Sequence, residues 1–297
     1  MDRVFSDDAH QREFERQGFL RLPLLPPSQV GELLDAVLAL RSATVAGESC
    51  TVGLEQSFCT TNADYRRSAD ALVSRYVREP LLSLLEGYRL VASGVMIKQP
   101  GAQAGLLHRD STTVVELDTV VLDVWCPLVD MTDDFGNLAL LPGTHTLPNI
   151  EAFGTPRFYS PYADALKKLS VSYPLQAGEA LIFDHRLLHW GRENRCPAPR
   201  PVVRAVAAPA ASRMVCFRPE SASAGRRFEI VDAEADGAVA HSPEAVAAGE
   251  VALPTLGYID NPNRAVSYKE CRAAIARASG RVPLAARQVK SIFANLH

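Results

Sequence analysis

The chain has 297 residues, of which 47% are hydrophobic, and its formal net charge at pH 7 is −3. A chain of this size buries a sizeable core, and its small net charge gives no electrostatic footprint for nucleic acid or an anionic membrane. The six cysteines show no CxxC spacing, and the acidic residues 1–8 lack the apolar run of a signal peptide. We therefore expect free thiols, a cytoplasmic location and no membrane span.

Residues 1–88 are predicted to be mostly helical. Pro27 and Ser28 are typical of a helix start, and apolar residues recur behind them as far as Leu38. A second helical pattern runs from Asp70 to Val77. This part of the chain is expected to flank a β core.

Residues 89–219 are predicted to form that core. The segment Thr113–Leu128 is dense in β-branched and aromatic residues, which favours consecutive strands. Asp133–Asn137 has the composition of a turn, and the short apolar run Leu138–Leu141 follows it.

Further turns punctuate the second half of the core. One lies at Pro142-Gly143, and another at Ala177–Glu179 leads into the predicted strand Ala180–Phe183. Short strands separated by Gly and Pro turns indicate a mainly β protein with flanking helices. The expected core is a double-stranded β-helix (a cupin-like jelly roll), which can enclose a ligand cavity.

From about Glu220 the composition shifts towards Ala, Glu and Gly. Ala233–Glu250 is predicted to be a mobile or helical insertion, and Tyr268–Asn295 a basic helical tail. No linker separates these parts, so we expect one domain over residues 1–297, with 220–297 as its variable part.

Two distant segments carry candidate metal chemistry. His108 and Asp110 are two residues apart, and such side chains point to the same side of an extended chain, so both can reach one ion. His185 and His189 follow the predicted strand near residue 183. Two imidazoles and one carboxylate can hold iron(II) by one face of its octahedron and leave positions open for substrate and dioxygen. The sequence predicts a mononuclear metal enzyme.

Several motifs together resemble a known family. Leu107–Ser111, Asn137–His145 and Gly178–Gly191 are similar to the phytanoyl-CoA dioxygenase family of iron(II)- and 2-oxoglutarate-dependent oxygenases. The resemblance runs from about Phe14 to about Ala207. It is specific because the order, spacing and flanks of several motifs agree, although each motif alone is a weak signal.

The resemblance implies a set of iron ligands. These are His108, Asp110 and His189, and they are also the expected catalytic residues. His189 is preferred because the family pattern places the ligand after two leucines and shortly before a small residue, here Gly191. His185 is the rival.

The resemblance also implies a 2-oxoglutarate site. Arg200 occupies the family's arginine position, and a guanidinium binds a carboxylate through two parallel hydrogen bonds. Arg204 is the alternative, since the Pro-rich stretch before it could shift the alignment. Trp125 is expected to flank the cosubstrate, or to be ordinary sheet core, or both. Gln99 is expected to donate to the cosubstrate, and a loop role is an equal alternative.

The implied reaction converts 2-oxoglutarate and dioxygen to succinate and CO2 while a C–H bond of a small molecule is oxidised, by default hydroxylated. Desaturation, cyclisation and epoxidation share this chemistry, whereas Asp110 argues against halogenation because halogenating relatives lack the carboxylate ligand. Small-molecule secondary metabolism is the expected setting. The substrate and the oligomeric state are left open.

The expected pocket walls are Gly47–Tyr65, Phe153–Leu169 and the Arg218–Gly257 region. Two alternatives of other classes use the same three ligands. One is a non-catalytic metal-binding jelly roll that acts as a sensor or binding module, and the other is a zinc-dependent hydrolase or isomerase. Neither needs a carboxylate clamp such as Arg200.

Overall fold

The computed structural model describes residues 3–280 except 44–48, 52, 153–154, 156, 221–222, 224 and 238. Within these residues, three α-helices precede Tyr88 and three come later in the chain. They are α1 (Asp8–Gln17), α2 (Pro27–Ala43), α3 (Ala63–Leu82), α4 (Ala163–Lys167), α5 (Pro243–Ala248) and α6 (Tyr268–Ala278).

The N-terminal helices have the expected ends. The Asp7 carboxylate accepts hydrogen bonds from the backbone N–H groups of Ala9 and His10 at the start of α1, and Gly18, with φ 83°, ends that helix. Helices α2 and α3 contain the two helical patterns that the sequence predicts. These three helices make up more than half of the described residues before Tyr88.

The strands form three antiparallel sheets. They are β1 (Phe19–Pro23), β2 (Ser49–Thr51), β3 (Leu54–Gln56), β4 (Tyr88–Lys98), β5 (Leu122–Pro127), β6 (Leu138–Leu140), β7 (Val171–Ser172), β8 (Glu179–Asp184), β9 (His189–Gly191), β10 (Arg200–Pro209), β11 (Val215–Pro219), β12 (Arg227–Asp232) and β13 (Thr255–Asp260). The large sheet has the order β1-β8-β5-β10-β4-β3-β2, and the small ones β7-β6-β9 and β11-β12-β13.

Alternating side chains divide the large sheet into two faces. Val124 and Val203 pack with α2 and α3 in one hydrophobic cluster. Trp125 and Val202, on the opposite face, pack against Leu140 of the β7-β6-β9 sheet in another. The two facing sheets form the open jelly roll that the sequence predicts, and its interior holds the candidate site.

Two sequence predictions need correction. In Thr113–Leu128 only Leu122–Pro127 is a strand, because a turn in which the Thr119 N–H donates to the Glu116 carbonyl interrupts the segment. The buried Val114 and Val121 pack in a small separate cluster without a sheet ladder. The sequence analysis also missed the β11-β12-β13 sheet.

The C-terminal predictions have a mixed outcome. Ala233–Glu250 contains the short helix α5, so its helical alternative is confirmed in part. Helix α6 forms the first part of the predicted basic tail, and the tail beyond residue 280 lies outside the described residues. No disulfide joins Cys126, Cys196, Cys216 or Cys271. No helix in the described ranges is long and apolar enough to cross a membrane.

Candidate metal centre

His108 and His189 are paired through their backbones. The His108 N–H donates to the His189 carbonyl at 2.9 Å, and the His189 N–H donates back at 2.8 Å. Directly opposed residues of an antiparallel pair present their side chains to the same face. The two imidazole rings accordingly lie with their centroids 4.1 Å apart.

The same backbone orients both rings. Nδ1 of His108 lies 2.9 Å from the Leu106 carbonyl, and Nδ1 of His189 lies 3.0 Å from the Leu187 carbonyl. A carbonyl only accepts, so each Nδ1 carries a proton, and in a neutral ring the free lone pair then lies on Nε2. Burial, with His189 beside it, holds the pKa of His108 well below its usual value. His108 is therefore in the neutral form that binds metals.

Asp110 completes a three-residue group. Ligand atoms of His108, Asp110 and His189 all lie within 4.8 Å of one another. Oδ2 of Asp110 is buried without a hydrogen-bond partner, 3.7 Å from Nε2 of His189. Burial, reinforced by Asp123, raises the pKa of Asp110. A divalent cation would satisfy the orphan oxygen, and two nitrogens with one oxygen suit iron(II).

His185 belongs to a neighbouring ionic network. Its Nε2 lies 2.7 Å from Oδ2 of Asp123, and Arg204 donates to both Asp123 and Asp110. Burial opposes ionisation of Asp123, but Arg204 and His185 together hold its pKa well below its usual range. Burial lowers the pKa of His185, and Asp123 more than reverses that effect. The imidazole of His185 thus already has a charged partner.

A second group with metal-binding spacing consists of Asp110, Asp123 and His185. It shares Asp110 with the first group, so one carboxylate borders both histidines. Arg204 occupies this second group with a positive charge. A cation there would face a guanidinium that binds two of its three ligands, whereas in the first group Arg204 contacts only Oδ1 of Asp110 and leaves Oδ2 without a partner.

Arg109 anchors the segment between the two candidate ligands. Its guanidinium is buried and donates to four backbone carbonyls, those of Thr144, Leu147, Pro148 and Asn149. The Asp110 N–H also donates to the His185 carbonyl at 3.1 Å. Sequence reasoning did not predict this role for Arg109, whose only signal was its place between His108 and Asp110.

Arg200 lies inside the jelly roll and pairs with no carboxylate of the described residues. It is 2% exposed, its Cζ lies 5.1 Å from the centroid of the Trp125 ring, and Nη1 donates to the Gly136 carbonyl. Its Nε has no hydrogen-bond partner, and burial lowers the pKa of Arg200 to about 9. Arg204, by contrast, is already bound to two carboxylates. Arg200 is therefore the arginine with free donor capacity.

Lys98 is a second buried cation that sequence reasoning missed. It is the register partner of Arg200 across β4 and β10, and it is 4% exposed. Its ammonium donates to the Arg192 carbonyl and forms no ion pair among the described residues. Burial and then the charge of Arg200 lower the pKa of Lys98 to about 8, against a smaller opposing effect of Glu193. The only feature of the sequence that could have indicated this role is the position of Lys98 at the end of an apolar strand.

Gln99 lies elsewhere. Its Nε2 donates to Oε1 of Glu55 at 2.6 Å, and Glu55 also binds Arg41. The structure brings Trp125 and Arg200 together, but it does not bring Gln99 to the triad. A cosubstrate role for Gln99 stays a prediction.

A cavity of about 610 Å³ opens beside the triad. Its lining includes His108, Asp110, His185 and Arg204. All three predicted wall regions contribute: Gln56–Cys59 from the first, Arg157 from the second, and residues 233–246 from the third. The cavity is within the usual size range for a small-molecule site.

Comparison with known sequences decides the family. The sequence profile of phytanoyl-CoA dioxygenase (PhyH) matches residues 14–202, more than half of the chain. The chain belongs to the phytanoyl-CoA dioxygenase family. The predicted resemblance is confirmed, and with it an enzyme of the iron- and 2-oxoglutarate-dependent type. No curated protein matches the chain.

Solved structures support the family's fold. The 2-oxoglutarate-dependent carbocyclase SnoK of nogalamycin biosynthesis is 17% identical, with 70% of this chain and 86% of SnoK covered and a TM-score of 0.57. The epimerase SnoN, in complex with Fe3+, 2-oxoglutarate and nogalamycin RO, is 20% identical, with coverages of 69% and 86% and a TM-score of 0.53.

HygX from Streptomyces hygroscopicus, with nickel, 2-oxoglutarate and hygromycin B bound, is 14% identical, with coverages of 69% and 88% and a TM-score of 0.52. At identities of 14% to 20%, the similarity shows that the chain shares the jelly-roll fold of these three proteins.

Proposed function

We propose that this enzyme hydroxylates a C–H bond of a small molecule, with iron(II) held by His108, Asp110 and His189. The observation that carries the proposal is the buried Oδ2 of Asp110, which has no hydrogen-bond partner and lies in a group with two imidazoles. A buried carboxylate oxygen without a partner is costly, and a bound cation removes that cost. The protein ligands would occupy one face of the ion.

The cosubstrate site proposed here consists of Arg200, Lys98 and Trp125. Arg200 and Lys98 are buried and have no carboxylate partner in the described part of the chain, which favours a bound dianion such as 2-oxoglutarate. The Trp125 ring fixes the guanidinium plane, and the Gly136 carbonyl holds one of its nitrogens. Bound iron(II) and 2-oxoglutarate would supply the activation of dioxygen, with release of succinate and CO2.

The remaining task of the chain is to position substrate. The cavity borders His108 and Asp110, so a small molecule in it would present a C–H bond to the metal site. Asp110 occupies the position that a halide would need, which supports hydroxylation over halogenation. SnoK and SnoN are named as a carbocyclase and an epimerase, and the same donor set could serve such outcomes on other substrates. The lack of CxxC spacing among the cysteines supports the proposed cytoplasmic location, and an antibiotic-type secondary metabolite suits the cavity.

The test is an anaerobic titration of the purified protein with iron(II) and 2-oxoglutarate, followed by visible absorption, and then succinate release in air. A charge-transfer band that needs both components, and substrate-dependent succinate release with a hydroxylated product, is the expected result. His189→Ala should lose the band. His10→Ala changes a histidine on the surface of α1 and should keep it. A protein that binds zinc but shows no band and no succinate would contradict the proposal.

A further inference from the structure

We propose that the substrate carries a protonated amine and that Glu244 binds it in the cavity that His108 and Asp110 of the metal group (His108, Asp110 and His189) also line. The inference rests on the proposed function, because it takes the 610 Å³ cavity as the substrate site. The first observation that points to an amine is the buried Oε2 of Glu244, which accepts no hydrogen bond from the described residues.

Glu244 is held firmly on α5. The Ser242 hydroxyl accepts from the Ala245 N–H at the start of this helix, and Val246 packs against the underlying cluster. Oε1 of Glu244 accepts from the Cys59 thiol at 3.1 Å. Oε2 is buried and has no hydrogen-bond partner, and Glu244 lines the cavity. A buried carboxylate oxygen of this kind requires a donor, and the cavity is where a donor can enter.

The other carboxylates of the cavity already have cationic partners. Glu151 pairs with Arg157 at 3.0 Å, and Glu234 pairs with Arg89 at 2.8 Å. Asp110 is bound by Arg204. Glu244 forms no ion pair with any residue that the structure describes, so it is the cavity's uncompensated negative charge.

The arginines that line the cavity already bind other groups of the protein. Arg157 and Arg204 are held by carboxylates. Arg66 donates through its three nitrogens to the carbonyls of Thr60, Val239 and Ala240. Arg109 is held by four backbone carbonyls. An anionic substrate group would therefore meet only guanidiniums of the described lining that other acceptors already hold, whereas a cation would find Glu244. The charge distribution favours an amine.

The contacts also place the amine relative to the metal group. Cys59 touches Glu244, and the ring of the adjacent Phe58 lies 5.5 Å from Cζ of Arg204, which in turn binds Asp110. A molecule anchored on Glu244 would cross the Phe58 side chain before it reaches Asp110. The amine is thus separated from the oxidised carbon by an apolar skeleton, for which Met214 and Phe217 supply further cavity wall.

The experiment uses three probes of one skeleton: 2-phenylethylamine, 2-phenylethanol and 3-phenylpropionate. Their dissociation constants are measured by calorimetry on the protein loaded with iron(II) and 2-oxoglutarate under nitrogen, and again on the metal-free protein. The amine should bind roughly tenfold more tightly than the alcohol, and the carboxylate most weakly. Glu244→Gln keeps the shape of the side chain and should remove the preference for the amine.

The matched control is Glu250→Gln, which removes one charge from an exposed position just after α5 and should leave the preference intact. Failure of the amine to bind, equal binding of the alcohol, or an unchanged preference in Glu244→Gln overturns the inference. Because the metal-free titration needs no iron, these outcomes are independent of whether the iron and 2-oxoglutarate band forms. A missing band alone would count against the proposed function, not against the amine site.

Discussion

His185 and His189 lie in one short segment, yet their imidazoles face different carboxylates. Nε2 of His189 lies 3.7 Å from Oδ2 of Asp110, and Nε2 of His185 lies 2.7 Å from Oδ2 of Asp123. The first contact leaves room for an ion between the groups, whereas the second is a direct charge pair. This difference separates the two candidates for the distal ligand.

We expect His189→Ala to abolish turnover and to weaken iron binding strongly, with the fold largely intact, because the metal group borders a preformed cavity. His185→Ala should be milder, since it removes a partner of Asp123 that Arg204 also binds. Iron content after anaerobic loading, with thermal unfolding as the fold control, measures both. Iron lost from His185→Ala and kept by His189→Ala would reverse the assignment.

Arg200→Lys should weaken 2-oxoglutarate binding by about 1.5–3 kcal/mol, or roughly ten- to a hundredfold, because the charge stays while the two-pronged geometry is lost. Iron affinity should change far less. The matched probe is 2-oxobutyrate, which lacks the distal carboxylate and should bind equally to both proteins. An unchanged dissociation constant for 2-oxoglutarate would move the role to Arg204.

The affinity for 2-oxoglutarate should fall as pH rises through about 8, because Lys98, with a pKa of about 8, then loses the proton that attracts the dianion. The acid itself is fully ionised across this range, so its charge is constant. Arg200 faces Lys98 and Glu193 lies near it, so the variant Lys98→Met is needed to isolate the lysine. It should bind more weakly at pH 7 and lose the step near pH 8. A flat or rising affinity in the parent protein between about pH 7 and 9 contradicts the role.

Asp110→Gly should remove hydroxylation but retain some iron, since His108, His189 and a chelating 2-oxoglutarate still supply donors. Loss of the carboxylate makes the metal site more positive by one charge, so chloride or azide should bind at the vacated position. We expect anion binding without efficient halogenation, because the pocket is not arranged for transfer to that position. Anaerobic spectra with and without chloride test the anion, and turnover at the parent rate would show that Asp110 is not a ligand.

Arg109→Met should lower the free energy of unfolding by roughly 3 kcal/mol or more, because four backbone carbonyls lose a buried charged donor. Urea unfolding measures the change. Arg12→Met, at an exposed position of α1, is the control and should stay near the parent value. A parent-like stability of Arg109→Met would show that the anchor is dispensable.

The sequence was most informative where local pattern determines structure. Apolar periodicity predicts α2 and α3, and turns around Gly136 and Gly178 delimit the core strands. The two-residue spacing of His108 and Asp110 places both side chains in one cluster with His189. These features depend on neighbours in the chain, so sequence reasoning reaches them.

Contacts between residues far apart in the chain could not be predicted from the sequence. Lys98 becomes a partner of Arg200 only through the register of β4 and β10, and nothing near Lys98 in the chain signals it. Asp123 looks like an ordinary strand residue until Arg204 and His185 pack against it. The five- and six-residue strands β11 and β12 are too short and mixed in polarity to stand out from loops.

The cavity draws on two parts of the chain, of which the family profile matches only the first. The profile that defines the family ends at residue 202, whereas Met214, Phe217 and residues 233–246 of the wall come after it. The metal group, Lys98 and Arg200 all lie before that point. These later wall side chains therefore lie outside both the part of the chain that the family profile matches and the proposed iron and 2-oxoglutarate sites, which makes them the first positions to vary when this enzyme is redirected to new molecules.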